Sequence, residues 1–465
     1  MSSCQAYVEA TGLRTMGTGG KSRRGGYRLA WAMLGCGWLA LTMSGAQAQM
    51  PGALGEAASA GAAARGGAMT AESGDPLDAA QGNPAGLAGV SGRVVEFGGA
   101  AMDAAGSFRN SVDPHGTLDG AGFAPVAAVA MPLGGSAWRG SLAVTPQMLM
   151  RANWRYIDPP GTAGASYGLT SNESEIVALR GTAGVARRVG SHWDVGAELG
   201  VDYNKNVLNA PYIFQQQPSL AGLKVLLQLH TAGFGWNGSA GVQWHPSSRV
   251  RLGAAWTSAT VVQSHGEASG TASAQFAALG IAADPLYHYG AEVDNHLPWT
   301  LAAAGSWEAS HRLRWDLEGD WTAWGNAFRT LPVKLTDGTN AVVNSVAGSD
   351  AIQDFVPLGW KDAATVRVGV ETPLGENWKA DAGYSYATNP LPSSTLTPLT
   401  AAILENTIGA GAGWHRGRWA AELAYQAMLP ATQSVGTSAL KAGEYDDSRV
   451  DARAQALLLT VRTHF

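Results

Sequence analysis

Both cysteines of this 465-residue chain, Cys4 and Cys36, lie at its start. The rest of the molecule has neither a disulfide framework nor thiol chemistry. Charge is scarce as well, with Asp, Glu, Lys and Arg making up 14% of residues. Yet no run of about eighteen apolar residues follows position 50, which excludes helical membrane spans there. The ten histidines are scattered, with no HExxH or His/Cys spacing, so no metal site is expected. The glycines at 409, 411 and 413 open no helix, GxSxG is missing, and no Ser/His pattern of a barrel-embedded lipase is present. Neither enzymatic activity nor a cofactor is expected. The net charge is −5; the first 48 residues hold five bases and one acid (+4), leaving −9 for the remainder. That sign disfavours a nucleic-acid partner.

What the chain has instead is a rhythm. From residue 92 to the end, stretches of about ten residues alternate apolar with polar. In 313–324, Leu313, Trp315, Leu317, Trp321 and Ala323 share one face; Arg314, Asp316, Glu318, Asp320 and Thr322 share the other. Successive strand residues point to opposite faces, so the segment is greasy on one side and charged on the other. A soluble sheet hides the greasy side in a core, whereas an outer-membrane barrel turns it to lipid and keeps the polar side in its lumen. Composition alone leaves both open.

The connections separate them. Fourteen candidate strands can be counted, the first near 92–104 and the last near 452–465. Short turns such as 132–137, 245–249 and 415–418 alternate strictly with long connections such as 158–172, 205–229, 264–289 and 330–362. Short turns at one end and long loops at the other, with an even strand count, are the pattern of an outer-membrane barrel. Trp193, Trp378 and Trp419 directly follow short turns, and Trp244 and Trp414 directly precede them. One such indole could be a core residue; five at one register predict a girdle at a membrane edge. The expected fold is all-β and transmembrane, a fourteen-stranded antiparallel outer-membrane β-barrel over 92–465. Phe465, in phase with Leu457, Leu459 and Val461, reads as the terminal signal for barrel-assembly machinery.

Ahead of the barrel, Lys21, Arg23, Arg24 and Arg28 precede the apolar run 29–43, and Ala46-Gln47-Ala48 offers a cleavage site. Residues 1–48 read as a secretory signal peptide starting at Met1 or Met16. Leu34-Gly35-Cys36 comes too early in the apolar run for lipidation. Residues 49–91 are small and lack period 2, as a disordered leader or a segment folded inside something larger.

Taken in order, these residues resemble the FadL family, outer-membrane transporters of long-chain fatty acids and aromatic hydrocarbons. Asn83-Pro84-Ala85-Gly86-Leu87 is similar to the family's NPAG signature, at the end of its plug. Ala143-Val144-Thr145-Pro146 is similar to the part of the third strand where the family's wall is broken. Later strands are matched by Asp320-Trp321-Thr322-Ala323-Trp324, Gly359-Trp360-Lys361-Asp362, Ala382-Gly383-Tyr384-Ser385-Tyr386, Asn389-Pro390-Leu391-Pro392 and the glycines at 409, 411 and 413. The resemblance implies a monomer plugged by a small N-terminal helical hatch at 49–91. In such a barrel a hydrophobic ligand is caught on the outer loops, passes to a lumenal pocket and leaves sideways into outer-membrane lipid.

The residues themselves bear on each step. Pro146 cannot donate to a ladder, so Thr145-Pro146 predicts a local break in pairing, either a simple bulge or a lateral gate. The connection 205–229 carries Leu208, Tyr212, Ile213, Phe214, Leu220, Leu223, Leu226 and Leu227; 264–289 carries Phe276, Leu279, Ile281 and Leu286. Apolar side chains on outer loops mark a binding surface, a lid packed on itself, or both. Burial gains a ligand about 0.8 kcal/mol per methylene, so capture needs no special polar contact. A carboxylate would want a lumenal cation; Arg314, Arg367 and Lys379 face inward by parity, and none stands out. Passive uptake of long-chain fatty acids or hydrocarbons is the expected function. A porin-like channel for polar solutes and a surface adhesion protein are the alternatives.

Overall fold

The computed structural model describes residues 57–134 and 137–465. The expected signal peptide (1–48) and the first part of the expected hatch (49–56) lie outside the described residues.

Eighteen strand segments form one antiparallel sheet among the described residues. They are β1 (Val94–Arg109), β2 (Gly116–Pro132), β3 (Trp138–Ile157), β4 (Leu169–Val189), β5 (Trp193–Ile213), β6 (Lys224–Ser247), β7 (Val250–Thr257), β8 (Thr260–Thr271) and β9 (Leu286–Leu297). Then follow β10 (Thr300–Ser310), β11 (Leu313–Thr322), β12 (Thr330–Thr336), β13 (Ile352–Pro357), β14 (Ala363–Pro373), β15 (Trp378–Ala387), β16 (Asn406–Arg416), β17 (Trp419–Ser434) and β18 (Arg449–His464). Short helices accompany them: α1 (Ala60–Ala64), α2 (Pro76–Gln81), α3 (Ser273–Leu279), α4 (Trp324–Ala327) and α5 (Ala341–Ala347). β1 pairs with both β2 and β18, so the sheet closes on itself.

Segments β7 and β8 both lie against β6, one above the other. The pairs β9/β10, β11/β12 and β13/β14 stack in the same way. Each pair is one wall strand interrupted midway, so the eighteen segments make a closed barrel of fourteen strands. The interruptions fall where the ladder cannot run straight. Pro298 has no N–H to give, α4 is a single helical turn, and Gly359 is left-handed at φ 62°.

The barrel is inside-out relative to a soluble protein. Leu199, Trp236, Leu301, Leu317 and Leu457 are exposed on its outside, while Asp202, Asn204, Asp316, Glu318 and Asp381 are buried inside. At the short-turn end Trp193 stacks on Trp244 with ring centroids 5.7 Å apart. Trp378 stands opposite Trp414, and Trp307 opposite Trp315 extends the ring. Phe465 donates its backbone N–H to Arg93 beside the closing strand.

The long-loop end corrects the sequence reading. β5 runs to Ile213 and β6 begins at Lys224, so the expected loop 205–229 shrinks to 214–223. The stretch 264–289 holds the end of β8, α3 and the start of β9, and 330–362 holds β12, α5 and β13. Alternation reports what a strand faces rather than whether it is hydrogen-bonded. Beyond the lipid-facing level it lapses, as at Asn206 and Val207, which are both buried, while pairing continues.

The wall also has a break. β2 and β3 are paired at Thr117–Leu118 and again at Ala127–Pro132, and are unpaired between. On the other side of β3, Gln147 is extruded between Pro146, opposite Leu179, and Met148, opposite Ala178. One extra residue flips the facing of a strand. Leu142 and Val144 point outward before it, Arg155 and Ile157 after it.

Candidate functional site

At the long-loop end, β5, β6, β8, β9, β12 and β13 enclose an apolar cluster. Within it is a cavity of about 140 Å³, lined by Tyr212, Phe214, Val225, Leu227, Leu229, Tyr287, Tyr289, Val343 and Ile352 among others. A dry apolar cavity of about 150 Å³ in another protein holds benzene, so this one suits a single ring or a short apolar chain. Among the described residues no Lys or Arg lines it. Its acids are Glu175, Asp354 and Glu444. Asp354 is already spent, accepting from the Tyr212 hydroxyl at 2.8 Å and from the Gln215 and Gln216 amides at 2.8 and 2.6 Å.

Of the residues singled out from sequence, Leu208, Tyr212, Ile213, Phe214 and Leu227 line the cavity. Leu220, Leu223, Phe276 and Ile281 pack in the cluster behind it. Leu226 is half-buried, and Leu279 and Leu286 are exposed away from it. The sequence reading missed Tyr287, Tyr289 and Val343. The first two are an i, i+2 pair on β9, a strand signal that the loop assignment hid.

A buried ion cluster straps the loops over this cavity. Lys224, wholly buried, donates from Nζ to Asp158 Oδ1 at 2.7 Å and to the Pro159 carbonyl at 2.6 Å, and lies 3.0 Å from Glu444 Oε1. From the start of β6 it joins two connections, 158–168 and 435–448. Two carboxylates share one ammonium. Burial pushes Glu444 up to about 7 and raises Asp158 as well, against the pull of Lys224.

Below, residues 57–91 fill the lumen as a plug. Asp75 caps α2, accepting from the Leu77 and Asp78 amides at 2.9 and 3.0 Å. Arg65 is buried among Glu72 (2.9 Å) and Asp78 (4.0 Å) of the plug and Asp316 (3.1 Å), Glu371 (3.4 Å) and Asp381 (3.8 Å) of the wall. Glu318 accepts from the Met69 and Thr70 amides at 2.8 and 2.7 Å, and Arg462 pairs with Asp75 and Glu96. Asn83 donates to the Thr70 and Val242 carbonyls at 2.8 and 3.2 Å while its Oδ1 accepts from Ala85 N at 3.0 Å. Asn83 and Pro84 lie so close to Gly241 and Gly196 that a Cβ at either would overlap them. Gln81 of α2 reaches the Pro146 carbonyl at 3.5 Å, so the plug backs onto the bulge. Thr145 is buried beside it.

Between plug and outer cavity lies a polar chamber of about 160 Å³, lined by Thr70, Gln81, Gln147, Arg180, Thr257, Glu318, Trp324, Arg367 and Thr388 among others. The stretch 397–404 is the partition. Leu399 and Thr400 face the outer cavity, Ala402 and Leu404 the chamber. A small void of about 20 Å³ adjoins the wall break at Val126, Pro146 and Leu149. Two of the motif segments meet at the chamber's rim: Trp324 packs edge-on against Trp360 at 4.9 Å, and Asp362 accepts from Gly325 N at 2.8 Å.

The three candidate cations face the lumen and are all committed to acids. Arg314 pairs with Glu72 (2.5 Å) and Asp316 (3.0 Å). Arg367 pairs with Asp320 and lies 3.6 Å from Glu318. Lys379 pairs with Glu422 (2.8 Å) and Glu371 (3.0 Å). Arg314 ties plug to wall, whereas Arg367 and Lys379 tie one wall strand to another. Arg180, which the sequence reading passed over, has no ion-pair partner among the described residues and donates to Ser239 Oγ at 2.7 Å.

The family model described as outer membrane protein transport protein (OMPP1/FadL/TodX) matches residues 41–465. No curated protein matches. Among solved structures, a Pseudomonas aeruginosa FadL homologue superposes with a TM-score of 0.70 at 16% identity, over 89% of this chain and 100% of the other. The Ralstonia pickettii toluene transporter TbuX gives 0.65 at 16% identity over 88% and 99%. The Pseudomonas putida toluene transporter TodX gives 0.66 at 16% over 90% and 99%.

Proposed function

From the premise that this chain belongs to the OMPP1/FadL/TodX family of outer-membrane transport proteins, we propose that it takes up small hydrophobic compounds passively. The observation that carries this is an apolar cavity at the outer end above a barrel whose wall is unpaired between Leu118 and Ala127 of β2 where it faces β3. An entering compound loses water against Tyr212, Phe214, Leu227 and Tyr287 (about 0.8 kcal/mol per methylene-sized group). It passes the partition at 397–404 and leaves through the wall at Thr145-Pro146, where no β2 partner is bonded. Nothing in the route requires a chemical step. Residues 1–48 serve as the export signal in this reading.

Size and charge favour uncharged hydrocarbons at the outer cavity over long-chain fatty acids. The cavity is about benzene-sized, and among the described residues no Lys or Arg lines it to receive a carboxylate. The relatives named toluene transporters support the same class. Calorimetric titration of the detergent-purified protein with toluene and with palmitate tests this. Binding of toluene but not palmitate is expected; the reverse order would refute it. A free ionic conductance of the intact protein in planar bilayers would favour the porin-like alternative.

A further inference from the structure

We infer that the outward face of β18, β1, β2 and β3, at the long-loop end, is a docking surface for the phosphorylated headgroup of an outer-leaflet glycolipid. Four arginines meet there. Arg449 and Arg109 stand directly opposite each other across β18 and β1. Arg155 of β3 is opposite Thr117 of β2, which in turn is opposite Ser107 of β1. Arg453, four residues along β18 from Arg449, is opposite Ala105. All four point outward, because the alternate residues Val450, Ala452, Phe108, Trp154 and Tyr156 are buried on the lumenal side. With strands about 4.8 Å apart and about 3.4 Å of rise per residue, the four fall within about 16 Å of one another.

The height is that of lipid headgroups. Below, Phe97, Phe123, Leu457 and Leu459 are exposed on the lipid-facing side. Tyr425 marks the boundary: its hydroxyl donates to Gln455 Oε1 at 2.8 Å, and Gln455 donates to Asp103 at 3.2 Å. Arg453 is the next outward residue above Gln455. Among the described side chains of these four strands, the acids of this face are Asp103 and Asp451. Asp451 already accepts from Arg449 at 2.9 Å and from Ser107 at 3.2 Å. Arg109, Arg155 and Arg453 have no hydrogen bond or ion pair among the described residues. By contrast, Arg151 and Lys205 on the neighbouring wall are paired with Glu173 and Glu175. Like charges opposite each other in a ladder repel, and a phosphate between Arg109 and Arg449 would relieve that. Guanidinium forks match phosphate oxygens two at a time. The position has a consequence. Thr117–Leu118 is the last bonded stretch of β2 against β3 above their unpaired segment, so Arg155 stands on its upper lip. A glycolipid held here hangs its acyl chains over residues 119–126, outside the wall break. The docking surface stands independently of the proposed uptake.

The test is native mass spectrometry of the detergent-purified full-length protein, titrated with bisphosphorylated lipid A, its dephosphorylated form and phosphatidylglycerol. The wild type should bind bisphosphorylated lipid A at least tenfold more tightly than either of the others. The triple variant Arg109→Gln/Arg155→Gln/Arg453→Gln should weaken that binding at least tenfold, and lysine at the same three positions should recover part of it. Arg416→Gln removes an exposed cation at the short-turn end and should change nothing. Heat-modified gel mobility reports whether each barrel has assembled. Dephosphorylated lipid A or phosphatidylglycerol binding as tightly as the bisphosphorylated form would overturn the assignment. So would an equal loss in Arg416→Gln, since net charge alone would then explain the effect. A wild-type dimer that the triple variant dissolves would make this face a contact between copies of the chain and overturn it too. Should the triple variant fail to assemble, Arg109→Gln alone decides, with a several-fold loss expected and unchanged binding refuting the surface.

Discussion

Replacing Arg65 by Met should release the plug while leaving the barrel intact. Arg65 neutralises acids from both sides of the plug–wall interface. Four of its five have a second cation: Glu72 and Asp316 have Arg314, and Glu371 and Asp381 have Lys379. Among the described residues, Asp78, buried and 4.0 Å from Arg65, has no other cation within ion-pair distance. Breaking a buried pair costs roughly 3–5 kcal/mol, chiefly by orphaning a charge. With one orphan among five, the low end applies, about 3 kcal/mol, which favours plug release by roughly a hundredfold. The wall does not depend on Arg65, since β1 and β18 pair along their whole length. Hydrogen exchange should therefore speed up in 57–91 but not in the strands, and planar-bilayer recordings should show openings absent from wild type. Adding Asp78→Asn removes the orphan and should restore much of the protection. Wild-type exchange in Arg65→Met, or no rescue by the double variant, would refute the reasoning.

Three further outcomes are expected. Gly241→Val places side-chain carbon where Asn83 Oδ1 sits; it should unseat the plug's end and raise exchange at 83–90, read by the same experiment. Leu227→Asp buries a carboxylate among apolar groups, at a cost of several kcal/mol, and should abolish toluene binding in calorimetry without changing the barrel's heat-modified gel mobility. Burial raises Glu444 to about 7 from an ordinary 4.5, so its contribution to loop closure is complete below about pH 4.5 and is lost as pH rises through about 7. Protease cleavage within 435–448 should accelerate between about pH 5 and about pH 8, and Glu444→Gln should flatten that profile; a flat wild-type profile would refute the burial argument.

The wall was legible in the sequence because lipid imposes its demand residue by residue. Leu317 and Trp315 must face out and Asp316 and Glu318 in, whatever else the chain does. Turn chemistry and the paired indoles gave strand number and polarity for the same reason. Where lipid ends, that demand ends. The outer reach of β5 shows no clear alternation, and β9 alternates with its apolar residues Tyr287, Tyr289, Ala291 and Val293 turned inward, although their ladders continue. The twelve loop residues chosen for being apolar were therefore only partly those that line the cavity.

Only the tertiary structure decided which charge meets which. Parity alone brought Arg314, Arg367 and Lys379 into the lumen; their commitment to acids on distant strands and on the plug came from closure of the barrel around residues 57–91. Arg180 sits opposite Asp202 in the ladder and still has no ion pair among the described residues, because Asn237 and Thr260 claim that acid first. Facing is set by the two-residue repeat of a single strand, which a sequence carries, whereas partner choice is a competition among groups hundreds of residues apart, which only the folded chain resolves.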